Sequence, residues 1–166
     1  GADVVRVEPP PGVDPNEASF AADRMGGDFQ NLNRNKRAVT LNLKTPEGVE
    51  IFKRMVATAD VVAENWRPDV KKRLGLDYES LKKINPRVIL VSISGFGQDG
   101  PYAWRPGFDQ IAQGMGGLMS VTGLPGQGPV RAGHAVADSS AGLYAALGVM
   151  MALFEREASG EGQWVQ

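Results

Sequence analysis

Asp138 stands at the entry to the longest apolar stretch of the chain, followed by Ser139 and Ser140 and preceded by His134, the only histidine. An aspartate there is by default an N-cap, its carboxylate accepting a hydrogen bond from a backbone N–H of the first helical turn. The same physics suits a nucleophile, because helix-terminal N–H groups and the macrodipole favour the charged carboxylate that attack requires. Ser139 can equally cap the helix and leave the Asp138 side chain to other work. Spacing does not choose between these readings. His134 and Asp138 have the composition of a general acid–base dyad, while a loop histidine satisfied by backbone groups is the plainer reading. No Gly-x-Ser-x-Gly elbow accompanies them, which disfavours a Ser-His-Asp hydrolase. One His with no Cys makes a poor metal site.

Two further constellations carry possible chemistry. Asn65-Trp66-Arg67-Pro68 follows a predicted strand, at the carboxyl end where open α/β sheets bind ligands. Trp66 can stack on a planar base, and Arg67, Lys71, Lys72 and Arg73 can meet phosphates. The alternative is a solvated basic helix face, to which two of those four charges are assigned. Gly95-Phe96-Gly97-Gln98-Asp99-Gly100 matches the GxGxxG pattern, but Pro101 and Pro106 follow it. A dinucleotide fingerprint needs a helix N-terminus there to hold the pyrophosphate, so the segment reads as a loop.

The elements that must position these residues alternate in the manner of βαβ units. Strands are expected at Val4–Glu8, Val39–Leu43, Val61–Glu64 and Val88–Ile93. Thr45 as N-cap and Pro46 at the first position open a helix, with Val49, Phe52, Met55 and Val56 on its inner face. Shorter helices are expected around Asp69–Arg73, ending near Gly75, over Tyr78–Ile84 and around Gln110–Met115, with irregular chain at residues 9–37 and a loop at 94–107. The last long helix runs from Asp138 to about Arg156, with Gly160 just past its end. Gly142, Ala145, Ala146, Gly148 and Ala152 make it smooth, so it is expected to be buried.

The totals set the bounds. A length of 166 residues suits one domain, and a formal net charge of −1 argues against a nucleic-acid surface or a polybasic membrane patch. No apolar run is read as long enough to span a bilayer, and no signal-peptide pattern opens the chain. The absence of cysteine leaves no disulfide framework or cysteine nucleophile and fits the cytoplasm, which is the expected location. Gly1-Ala2-Asp3 runs at once into an apolar strand, and Gln163-Trp164-Val165-Gln166 reads as a strand just beginning. Residues 1–166 are therefore expected to be a single partial domain of a longer protein.

Five segments in order resemble the family III CoA-transferases (the CaiB/BaiF family, which includes formyl-CoA transferase). They are GADVVRVEPP at the start, NLNRNKRAVTLNLKTPEG at 31–48, and ADVVAENWRPDVKKRLGLDYESLKKINPRVILVSISGFGQDGP at 59–101. RPGFDQIAQGMGGLMSVTG at 105–123, and GHAVADSSAGLYAALGVMMALFERE with SGEGQ after it, complete the set. The resemblance implies an α/β fold, a Rossmann-like open sheet, mostly parallel, with flanking helices, as an incomplete part of the family's large domain. It implies that an opening strand and helix and a later small domain are missing, and that the full-length protein is an interlocked homodimer. Coenzyme A and acyl-CoA are the implied substrates, with a carboxylic acid as acceptor, no metal, no nucleic acid and no membrane.

The resemblance carries roles to particular positions. The aspartate of the ADSSAG segment makes Asp138 the nucleophile that forms an aspartyl covalent intermediate. Asn65 and Trp66 become CoA contacts and Arg73 a phosphate ligand. Leu41 and Lys44, in the TLNLK strand, line the adenine end, and Phe108 lies near the thioester. Arg6 is a looser phosphate candidate. The α-methylacyl-CoA racemases carry a histidine base at the position of Phe108, so this phenylalanine favours the transferase. A noncatalytic CoA-binding subunit or inactive fragment is the remaining alternative. The isolated 166 residues are expected not to turn over, and the donor and acceptor acids are left open.

Overall fold

β-Branched residues at the start of the chain form β1, Val4–Glu8, which pairs in parallel with β2, Lys36–Thr40. The computed structural model describes residues 1–13 and 26–166, and the chain divides into two compact units, residues 1–54 and 55–166. In the first unit the register runs from Val4 opposite Lys36 to Glu8 opposite Thr40. The predicted strand at Val39–Leu43 therefore lies three residues too far along. The reason is the turn that follows: the Asn42 side chain accepts the Lys44 N–H at 3.0 Å and its carbonyl accepts the Thr45 N–H at 3.2 Å, an Asx-type turn that ends extended structure. Thr45 then accepts the Gly48 N–H at 3.2 Å and opens α2, Pro46–Val56, as its sequence signals required. The stretch expected to be irregular, 9–37, contains helix α1 at Gly27–Asn33 and the start of β2, while 14–25 lies outside the described residues.

The second unit is built on three parallel strands in the order β3 (Val61–Glu64), β4 (Ile89–Ser92), β5 (Trp164–Val165). β4 is central and buried at every position, which accounts for its unbroken apolar run, since a parallel strand covered on both faces has no solvent side. Helix α3, Pro68–Leu74, starts on proline and stops at Gly75 in the left-handed conformation (φ 64°). Helix α4, Tyr78–Ile84, is capped by Asp77, whose carboxylate accepts the Ser80 N–H at 3.1 Å and the Ser80 hydroxyl at 2.9 Å. The Asn85 amide ties the end of α4 to the carbonyls of Val56 (3.1 Å) and Ala59 (2.9 Å). All strand pairing among the described residues is parallel and flanked by helices, so the expected α/β class holds.

No helix opens at Gly100; turns follow, and the next helix is α5, Asp109–Met115. A 3-10 turn at Leu118–Val121 and the long helix α6, Val136–Ser159, complete the unit before β5. The expectation that α6 is buried is not met. Its small and mid-sized positions Ala145, Gly148, Val149 and Ala152 form one edge that packs on β4 and β5 with Ile89, Val91 and Val165. A Cβ at Gly148 would stand 2.7 Å from Val165 Cγ1, so only hydrogen lets helix and strand approach this closely. At the far end of that edge, Arg156 is buried and donates to Asp60 (2.7 Å) and to the Arg87 carbonyl (2.9 Å). The other faces carry Leu143, Tyr144, Leu147, Met150, Met151 and Phe154, all exposed, the last at 84 %. Small residues mark where one neighbour comes close; they do not surround a helix. In length and composition α6 also meets the requirement for crossing a membrane, contrary to the reading that no run is long enough.

Candidate active site

The candidate site lies at the head of α6. The helix begins at Val136, with Ala135 in the N-cap position, so Asp138 falls in the first turn and not at the cap. Its orphan N–H groups are met from another helix. Asp109, the first residue of α5, accepts the Ala137 N–H at 2.8 Å and the Asp138 N–H at 3.3 Å through one carboxylate oxygen. Its second oxygen accepts the Gln113 side-chain amide at 2.6 Å, one turn along α5. Gln113 is itself buried, donates to the His134 carbonyl at 3.2 Å, and accepts the Ala132 N–H at 2.9 Å. Burial pushes the Asp109 carboxyl up, but the hydrogen bonds from Asp138, Gln113 and Ala137 and the charge of Arg131 outweigh it and hold the group below its ordinary value.

Neither of the capping arrangements expected from the sequence is therefore used. The Ser139 hydroxyl lies 2.8 Å from His134 Nε2, so the histidine ring is paired with a serine and not with Asp138. The Asp138 side chain is exposed, and its carboxylate accepts no hydrogen bond from the described residues. A side chain can be committed to capping or to attack, and Asp109 has taken the first of these tasks. Asp109 and Gln113 were missed by the sequence reading. Their four-residue spacing was visible as a helical pair, but the N–H groups they serve lie 28 and 19 positions away.

Phe108 occupies the N-cap position of α5, next to Asp109, and is 54 % exposed. Asn65 and Trp66 follow the last residue of β3, the first exposed and the second half-buried. Arg67 and Arg73 are exposed at the two ends of α3, where Arg67 lies 3.6 Å from Asp69. Lys71 departs from the expected basic face: it turns inward and its ammonium lies 2.9 Å from Glu64 Oε1, with the side chain only 2 % exposed. It is thereby removed from any phosphate-binding role. In the first unit, Leu41 and Lys44 stand beyond β2 and not within it; Leu41 is buried with its N–H on the Glu8 carbonyl at 2.8 Å, and the Lys44 ammonium donates to the Val13 carbonyl at 2.8 Å. Arg6 is paired with Glu8 at 3.1 Å. Among the described residues there is no cluster of three or more His, Asp or Glu side chains placed to hold a metal.

Parallel strands flanked by helices, with an aromatic and basic segment after one strand and an exposed aspartate near the head of the longest helix, place this chain among Rossmann-like α/β folds on the strength of the sheet. The match to CoA-transferase family III extends over residues 1–166, and the chain belongs to that family. It is 47 % identical to the succinate–glutarate CoA-transferase of Agrobacterium fabrum, covering 99 % of this chain and 43 % of that protein. It is 40 % identical to a formyl-CoA:oxalate CoA-transferase of Streptomyces avermitilis, covering 99 % of this chain and 40 % of the relative. A crystal structure of a CaiB/BaiF family protein from Brucella suis superposes with a TM-score of 0.89 at 42 % identity, over 99 % of this chain and 45 % of that one. The chain thus spans less than half the length of the relatives it matches.

Proposed function

We propose that this chain carries the nucleophile and part of the CoA site of an enzyme that moves CoA from an acyl-CoA thioester to a carboxylic acid. The observation that carries the reading is the division of labour between two aspartates: Asp109 caps α6, so the exposed Asp138 carboxylate is free for attack. Asn65, Trp66 and Arg73 serve as CoA contacts in this reading, Leu41 and Lys44 as its adenine-end lining and Phe108 as the wall near the thioester. The names of the relatives, which include succinate, glutarate and oxalate transferases, support small dicarboxylates as the acids exchanged.

The chemistry is covalent. The Asp138 carboxylate attacks the thioester carbonyl of the donor, the C–S bond breaks, and an aspartyl–acyl anhydride and CoA thiolate result. The thiolate attacks the aspartyl carbonyl, releasing the donor acid and leaving an aspartyl-CoA thioester. The acceptor carboxylate then displaces the thiolate to form a second anhydride. Attack of the thiolate on the acceptor acyl carbon yields the new acyl-CoA and regenerates Asp138. Carboxylates are poor nucleophiles in water, so exclusion of solvent and the tethering of CoA supply the rate. A complete site and an interlocked homodimer belong to the same reading, in which the 166 residues alone do not turn over.

The test is mass spectrometry of the full-length protein that contains these residues, and of its Asp138→Ala variant, after incubation with succinyl-CoA and hydroxylamine. A hydroxamate on the Asp138 peptide that is absent from the variant supports the transferase. Exchange of the substrate α-proton without an adduct would move the assignment to a racemase, and neither signal would leave a binding or assembly role.

A further inference from the structure

Lys71, at 2 % exposure, and Glu64, at 3 %, form a buried ion pair between α3 and the end of β3. Such a pair is a poor way to gain stability, since two well-packed apolar side chains of similar volume usually serve as well or better. The arrangement is also costly in detail. The ammonium lies 2.9 Å from Glu64 Oε1, and among the described residues it has no further hydrogen-bond partner for its remaining N–H donors. What the pair holds is more informative. Glu64 Oε1 also accepts the Ser92 hydroxyl from β4, and that hydroxyl accepts the Trp164 indole N–H from β5 at 2.9 Å. The second carboxylate oxygen, Oε2, accepts the backbone N–H of Trp66 at 2.7 Å.

We infer that Glu64, fixed by Lys71 and Ser92, is a positioning residue that sets the Asn65–Trp66 turn and so determines how tightly CoA is held. The inference rests on the proposal that this turn contacts CoA. Each strand of the three-stranded sheet contributes to this network, β3 and β4 through their last residues, Glu64 and Ser92, and β5 through its first, Trp164, while α3 enters it through Lys71, two positions before Arg73. The turn is thereby referenced to the sheet by one carboxylate and not by the packing of Trp66 alone. Disturbing it misplaces a binding surface and leaves Asp138 chemistry untouched.

The experiment uses the full-length protein that contains these residues, with free CoA binding followed by calorimetry and steady-state transfer from succinyl-CoA. Glu64→Gln and Lys71→Met are expected each to raise the CoA Kd and the KM for succinyl-CoA by about tenfold, within the range for directly coupled side chains, with little change in kcat. The double variant Glu64→Gln/Lys71→Met removes both charges but keeps an acceptor for the Trp66 N–H, and is expected to recover most of the affinity. A purely structural pair would instead lower the unfolding temperature of each single variant and leave KM and Kd at the wild-type values, which overturns the inference. Where a single variant does not fold, Ser92→Ala carries the same test, a raised KM supporting the inference and an unchanged one overturning it. A wild-type protein that neither binds CoA nor transfers it would sink the transferase reading itself, and the inference with it.

Discussion

The carboxylate of Asp109 accepts the backbone N–H of Asp138 at 3.3 Å, so one aspartate caps the helix that presents the other. The contact joins the start of α5 to the start of α6, and Gln113 fixes the Asp109 carboxylate from behind at 2.6 Å. Asp138 is consequently held by its backbone, while its side chain stays outside the capping network.

In the full-length protein, on the proposed role of Asp138, Asp109→Ala should therefore lower kcat by about 10²-fold, the size of loss that follows when a reacting group is displaced by roughly an ångström. Asp109→Asn keeps an oxygen for the two N–H groups and should retain most of the activity. Hydroxylamine trapping on the Asp138 peptide, compared at equal acyl-CoA occupancy, reads the effect. Equal trapping in wild type and Asp109→Ala would show that the cap does not position Asp138.

How much of this was legible beforehand depended on how local each signal was. Thr45-Pro46 opens α2 through its cap and fixed φ, and Gly75 ends α3 because glycine takes the left-handed φ of 64° without strain. β2 was displaced because its register is dictated by β1, far earlier in the chain, and by a turn at Asn42 that sequence propensity does not weigh. The small residues of α6 suggest a buried helix, yet they define a single edge against Ile89, Val91 and Val165. Lys71 was read with its charged neighbours as part of a basic face; only the carboxylate of Glu64, seven positions away, explains why it turns inward. The importance of Asp138 came from the resemblance of its segment, while the reason its side chain is free required Asp109 in three dimensions.

Gly95 and Gly107 meet backbone to backbone and close the base of the loop that precedes Phe108. A Cβ on Gly107 would lie 2.4 Å from the Gly95 Cα, and one on Gly95 2.3 Å from the Gly107 Cα. Neither position has a left-handed φ, so the demand is for space and not for conformation. Gly107→Ala should destabilise the protein by about 1–3 kcal/mol, as overpacked sites do. Gly142, by contrast, has open space around its Cβ direction within α6. Gly142→Ala should stabilise the 166-residue chain by about 0.5–1 kcal/mol through helix propensity. Urea unfolding of the two variants should thus move in opposite directions; a shared direction would contradict the geometry at Gly95–Gly107.

Asp77 provides a stability change whose pH dependence has a definite sign. Burial raises its carboxyl pKa, but the hydrogen bonds from the Ser80 hydroxyl and N–H outweigh this and leave it below its ordinary value. A group whose folded-state pKa is depressed contributes stability that is present above the unfolded value and lost as pH falls through the folded one. Asp77→Ala removes the cap of α4 and should cost about 1 kcal/mol at pH 7. Asp77→Asn keeps an acceptor for the Ser80 N–H but gives up the charge-dependent part, so its deficit should hold steady above about pH 5 and shrink below the unfolded value. Urea unfolding of wild type and Asp77→Asn from pH 7 down to pH 3 measures that difference directly. A deficit that stayed constant or grew on acidification would mean that the Ser80 bonds do not favour the charged carboxylate.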